Sequence, residues 1–61
     1  MNYYSHIEKE DGFHGLIYTY DSTGNRQIDV WKSTQSYDTK EEAEYAAVVY
    51  ADTNGIEVEL G

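Results

Sequence analysis

Sixty-one residues with twelve acids against four lysines and arginines carry a formal net charge of −8, with no cysteine and no proline. That balance excludes disulfide staples and thiolate metal sites, and it leaves few cations to release counterions from a phosphate backbone or to meet an anionic membrane. A chain this short buries only about 60 % of the surface it exposes when unfolded, so a single small acidic domain over residues 1–61 is expected, with a thin core.

The chain opens without a basic stretch followed by an apolar one, so Met1 reads as a true start and not as part of a signal peptide. Asp11-Gly12 lies between two alternating segments, and Asp-Gly is a strong hairpin signal because both positions tolerate positive φ. Ser22-Thr23-Gly24 fits a three-residue loop with glycine at its left-handed position. Tyrosine, isoleucine, valine, threonine and tryptophan fill the flanks, as strands prefer. If Glu10 opposes Phe13, then Ile7 opposes Leu16; if Asp21 opposes Asn25, then Tyr18 opposes Ile28 and Leu16 opposes Val30. Both hairpins then send Ile7, Leu16, Tyr18, Ile28 and Val30 to one face, an agreement that a one-residue slip would destroy.

The segment from Asp38 is expected to be a helix. Thr39 and Glu42 have the spacing of a capping box, Glu41, Glu42 and Glu44 suit the positive end of the helix dipole, and Asn54-Gly55 supplies the stop. Ala43, Ala46, Ala47 and Tyr50 form a stripe small enough for close packing on a sheet. Ile56, Val58 and Leu60 then alternate with Glu57 and Glu59, the pattern of a half-buried strand. The expected fold is α+β: a three-stranded antiparallel sheet, one helix packed on one face and a short C-terminal strand, in the order β-β-β-α-β.

The expected surface follows from that register. With the helix over the Ile7 and Leu16 face, the opposite face is an open platform of Tyr4, His6, Phe13, Ile17, Thr19, Asp29 and Trp31, with Glu8 and Gln27 at its margins. Exposed aromatic platforms usually mark interaction sites. Alternatively, the closing strand or a loop folds over it as a second mini-core. The helix is apolar nearly all round between Tyr45 and Ala51, too short a run to cross a bilayer. Tyr45, Val48 and Val49 project away from the alanine stripe, so they are either covered by the closing strand or form a dimer or partner face.

No catalytic residue is expected. The chain has no spaced-glycine phosphate loop, and it is too small to enclose the cleft that separates the pKa values of an acid/base pair. His14 is placed on the helix-covered face and His6 on the other, so the two cannot share a metal ion. No metal and no cofactor is expected, and with no need for an oxidising compartment the location expected is cytoplasmic.

The stretch Tyr18-Thr19-Tyr20-Asp21-Ser22-Thr23-Gly24-Asn25-Arg26, followed by Tyr37-Asp38-Thr39-Lys40-Glu41-Glu42-Ala43-Glu44, resembles the N-terminal arm-binding domain of phage integrases, which shares its three-stranded sheet plus helix with the plant ethylene-response-factor domain. The resemblance covers about half the chain and rests on an aromatic-x-Thr-x-x-Glu-Ala pattern at the helix start. It implies that the open sheet face enters the DNA major groove through Tyr4, His6, Ile17, Asp29 and Trp31. None of these is a lysine or arginine, so the fold, and no direct nucleic-acid contact, is the expectation taken. Ile7-Glu8-Lys9-Glu10-Asp11-Gly12 and Asp38-Thr39-Lys40-Glu41-Glu42-Ala43 are also similar to HicB-type antitoxins, which implies a protein-neutralising role. The function expected is a protein-binding inhibitor or regulator of phage or mobile-element origin, a nucleic-acid mimic engaging a basic protein surface. Tyr4, Ile17 and Trp31 would anchor it, and Glu8, Asp29, Glu57 and Glu59 would steer it. A diverged DNA-binding arm domain and a homodimeric antitoxin-like domain are the alternatives.

Overall fold

In the computed structural model, which describes residues 1–61, the chain runs through β1 (Asn2–Lys9), β2 (Gly12–Tyr20), β3 (Gln27–Lys32), α1 (Lys40–Thr53) and β4 (Val58–Leu60). The class is α+β, with one helix. The sheet is four-stranded and mixed, in the order β3-β2-β1-β4: the first three strands are antiparallel, and β4 joins the outer edge of β1 in parallel. Val58 pairs with Asn2 and Leu60 with Tyr4, so the closing strand widens the sheet instead of lying across the helix.

Both hairpin registers differ from expectation, each for a local reason. In the first, Lys9 pairs with Gly12 and Ser5 with Leu16, two residues away from the expected alignment. The tight turn is Glu10-Asp11, because positive φ is carried by Gly12 alone (φ 133), whereas an Asp-Gly turn of the primed type needs it at both residues. In the second, Asp21 N–H bonds to the Arg26 carbonyl at 2.9 Å, so the loop is one residue longer than expected. The Asp21 carboxylate organises it, accepting from the Thr23 amide at 3.1 Å and the Thr23 hydroxyl at 2.6 Å, while Gly24 takes the left-handed conformation as expected (φ 76). The extra residue moves Ile28 opposite Thr19 and Asp29 opposite Tyr18. A bulge between Tyr18 and Ile17 then shifts the register again, so that Ile17 faces Trp31 and Leu16 faces Lys32.

The face under the helix is the reverse of the one expected. The core consists of Ile17, Ala47 and Ala51, packed by Tyr4, Trp31, Tyr50, Ile56 and Val58. The reason is steric. A β-carbon at Gly15 would lie 2.6 Å from the carbonyl oxygen of Ala43 and 3.2 Å from the amide nitrogen of Ala47, so α1 lays its own backbone on this glycine. Ala43, Ala47 and Ala51, one turn apart and 0–1 % exposed, are the only side of α1 small enough for that approach. His6, opposite Gly15, adds a 2.7 Å contact from its Nδ1 to the Glu44 carboxylate on α1.

The helix ends are built as anticipated, with one difference. The Thr39 hydroxyl accepts from the Glu42 amide at 3.1 Å, but the Glu42 carboxylate returns to that hydroxyl at 3.0 Å and not to the threonine amide. At the other end Gly55 is left-handed (φ 69). Ile56 N–H reaches the Ala51 carbonyl at 2.8 Å and Gly55 N–H reaches that of Asp52 at 3.3 Å, which closes a Schellman cap and turns the chain toward β4.

Gly15→Ala places a methyl group against helix backbone that has no flexible tip to move aside. A loss of about 1–3 kcal/mol is expected, measured as a lower urea midpoint at unchanged slope. An unchanged midpoint would show that α1 does not rest on Gly15.

Candidate functional site

The residues expected to form an open platform are brought together, but beneath the helix. Ile17 is fully buried, Tyr4, His6, Phe13 and Trp31 are half-buried, and the ring of Phe13 meets His6 edge-on at 5.8 Å. Asp29 is separated from them: opposite Tyr18, it belongs to the other face, where its carboxylate meets Lys32 Nζ at 3.3 Å. Glu8, Glu57 and Glu59 are exposed as expected, with Glu59 beside Tyr3. The uncovered sheet face instead carries Tyr3, Tyr18 and Tyr20. Tyr3 stacks on Tyr18 at 5.5 Å, and Tyr20 meets both edge-on. Partial burial among these rings pushes the Tyr18 hydroxyl above the ordinary tyrosine value, with the neighbouring tyrosines adding to the effect. Leu16, on this face, is still only 6 % exposed.

The larger of two surface hollows lies between α1 and the β3 edge, an open groove of about 730 Å³ lined by Trp31, Tyr37, Tyr45, Val49 and Tyr50. Trp31 and Tyr50 form its floor, stacked nearly parallel (11°) with centroids 4.2 Å apart. Tyr45 at 71 % and Val49 at 44 % are its exposed large apolar side chains, beside the exposed polar Thr34, Gln35, Thr53 and Asn54. Glu42 is the one formally charged side chain that lines the groove. The three helix residues expected to act together are thus divided. Tyr45 and Val49 face the groove, while Val48 is half-buried on the opposite flank near Ile56 and Val58.

The far wall is the segment after β3, and it is held by a polar node. The Ser33 hydroxyl accepts from Gly15 N–H at 2.8 Å and donates to the Gln35 carbonyl at 2.9 Å. Phe13 and Tyr37 exchange two backbone bonds, at 2.9 and 2.7 Å. His14, 4 % exposed, places Nδ1 2.8 Å from the Ser33 carbonyl oxygen and Nε2 2.8 Å from Asp11 Oδ1. A carbonyl and an ionised carboxylate can only accept, so both ring nitrogens must carry hydrogen, and the arrangement selects the imidazolium. Accordingly the hydrogen bond to Asp11, then that to the Ser33 carbonyl, holds the His14 pKa above the ordinary histidine value, while His14 holds the Asp11 carboxyl below its own. His14 lies on the face away from α1 and His6 on the face toward it. The two histidines are therefore on opposite faces, but each is on the side assigned to the other.

No family model, curated protein or solved structure matches this chain. The groove therefore stands on its own geometry. Sequence reasoning missed Tyr37 and the Ser33 node as site residues, and it took Tyr50 only as packing. The readable signal was Gly15, since a glycine inside a strand marks a close backbone approach and points to the face the helix covers.

The node also sets a pH dependence. The His14 pKa is raised on folding, so its contribution is fully present below the unfolded value of 6.5 and is lost as pH rises through the folded one; Asp11, lowered from 3.8, contributes above that value and loses it as pH falls. The urea midpoint should therefore decline as pH rises above 6.5, and His14→Gln should flatten that decline. An equal slope in the variant would remove His14 as its source.

Proposed function

We propose that this chain is a small, non-enzymatic, cytoplasmic protein-binding module that inhibits or regulates a nucleic-acid-handling protein by occupying a basic site on it. The observation that carries the reading is an aromatic groove with a carboxylate at its wall on a body of net charge −8. Aromatic residues in a concave setting are the side chains most often found at the centre of protein interfaces, and the surrounding acids favour a positive partner and raise the encounter rate. Of the four acids on α1, Glu42 lines the groove, while Glu44 meets His6 and Asp52 lines the hollow on the other flank, so the negative charge surrounds the helix and reaches the groove through Glu42. The likeness of Ile7–Gly12 and Asp38–Ala43 to HicB-type antitoxins supports a neutralising role and an origin in a phage or mobile element. Most positions that the integrase resemblance would send into DNA lie under α1, which weighs against the arm-domain alternative. No helix is long and apolar enough to cross a membrane.

Two measurements test the proposal together. Proteins retained from a lysate by the immobilised chain at about 50 mM salt should be basic, and they should be released by about 500 mM, where screening shortens to a few Å. Duplex DNA should show no gel shift at micromolar protein and low salt. Retention that salt does not release would sink the electrostatic reading, and a DNA shift would favour the arm-domain alternative.

A further inference from the structure

We propose that the groove between α1 and β3 seats an arginine side chain presented on an otherwise apolar segment of the partner protein. This rests on the protein-binding reading and names what the partner brings to the site.

Three observations converge on a planar cation. First, the groove carries aromatic rings. Trp31 and Tyr50 are stacked on each other at 4.2 Å, so no ligand enters between them, and the rings left beside them to receive one are Tyr37 and the 71 % exposed Tyr45. Ring faces carry negative potential and attract cations, and a flat guanidinium stacks on them in a way that a spherical ammonium cannot. Second, the only formal charge in the lining is negative. One oxygen of Glu42 is fixed by the Thr39 hydroxyl at 3.0 Å, and the other has no hydrogen-bond partner within the chain. A carboxylate anchored on one side and open on the other is suited to receive an N–H fork. Third, the other occupants are disfavoured by the same groups. An anion would meet Glu42 and the charge of −8, while a purely apolar ligand would desolvate Glu42 without giving it a partner. A second copy would bring two bodies of charge −8 together. Val49, 44 % exposed on the same wall, leaves apolar surface for the residues that flank the arginine.

Trp31 is the sole tryptophan and lines the groove, so its fluorescence and its indole N–H resonance report on it, with circular dichroism separating binding from any change in the core that Trp31 also packs against. The probe is a blocked pentapeptide, Ala-Leu-Arg-Leu-Ala, compared with the same peptide carrying citrulline, a neutral isostere, or lysine in place of arginine. The arginine peptide should move the Trp31 signals, with half-saturation at a concentration about tenfold below that for citrulline and clearly below that for lysine. Glu42→Gln, which keeps an acceptor for Thr39, should weaken the arginine peptide several-fold, and Tyr45→Ala should weaken it further, with circular dichroism confirming the fold of each. Tyr20→Ala, on the uncovered sheet face, should change nothing. Equal response to citrulline would overturn the cation assignment, and equal response to lysine would overturn the guanidinium. If a basic partner bound in a salt-sensitive way while the Trp31 signals stayed still, the arginine seat would fall and the protein-binding reading would stand. If no basic protein bound at all, both would fall.

Discussion

The contact between Gly15 and the backbone of α1 is the constraint on which the rest of this molecule depends. A helix that must come within van der Waals distance of a strand needs a position without a β-carbon on the sheet and small residues on itself. Gly15 provides the first, and Ala43, Ala47 and Ala51 provide the second. Once that line of contact is set, the row holding Tyr4, Ile17 and Trp31 is inside and the row holding Tyr3, Leu16 and Tyr18 is outside. Only one large side chain, Ile17, is completely enclosed. The remaining bulky groups are pushed to the margins of the alanine stripe, and one of those margins becomes the groove. The site is a by-product of close packing: with alanines at the centre, aromatic rings stand at the flank.

The node around His14 links the same contact to the shape of the site. Ser33 bonds to Gly15 N–H through its hydroxyl and to His14 through its carbonyl, so the strand that receives the helix also positions the loop that forms the groove's far wall. His14 in turn requires Asp11 from the first hairpin turn. Two of the loops in this small fold are therefore joined through one charged imidazolium, in a chain that has no disulfide to do so. His6 serves the opposite flank by joining β1 to α1 through Glu44. Both histidines act as ties between elements, a role that neither composition nor spacing makes visible.

The distance between reading and structure is instructive at particular residues. The first hairpin loop keeps its two residues but sits one position earlier than expected, and the second is one residue longer, yet Tyr4, Ile17 and Trp31 still share a face. In the first hairpin the error is two residues, which conserves the alternation of strand faces. In the second, a one-residue longer loop is offset by the bulge between Tyr18 and Ile17. Asp29 and Ile28, on the turn side of that bulge, have exchanged rows, and because the helix also covers the other row, Asp29 still faces away from α1 and Ile28 still lies on the α1 side of the sheet. The choice of the aliphatic row as the core failed because apolarity alone does not orient a sheet when both of its faces carry aromatic and aliphatic residues. The steric demand of the helix does.

Local chemistry determined what the sequence could determine by itself: α+β class, element order, the helix from its Thr39 cap to its Gly55 stop, the left-handed Gly24, and a strongly acidic surface. Each of these depends on residues within a few positions of one another, or on composition. Tertiary structure alone decided which sheet face the helix covers, that β4 runs parallel beside β1, and that Trp31, Tyr37, Tyr45 and Tyr50 line one groove with Glu42. Those outcomes come from contacts between residues far apart in the chain, where the fit of one backbone against another is settled by the space a missing side chain leaves.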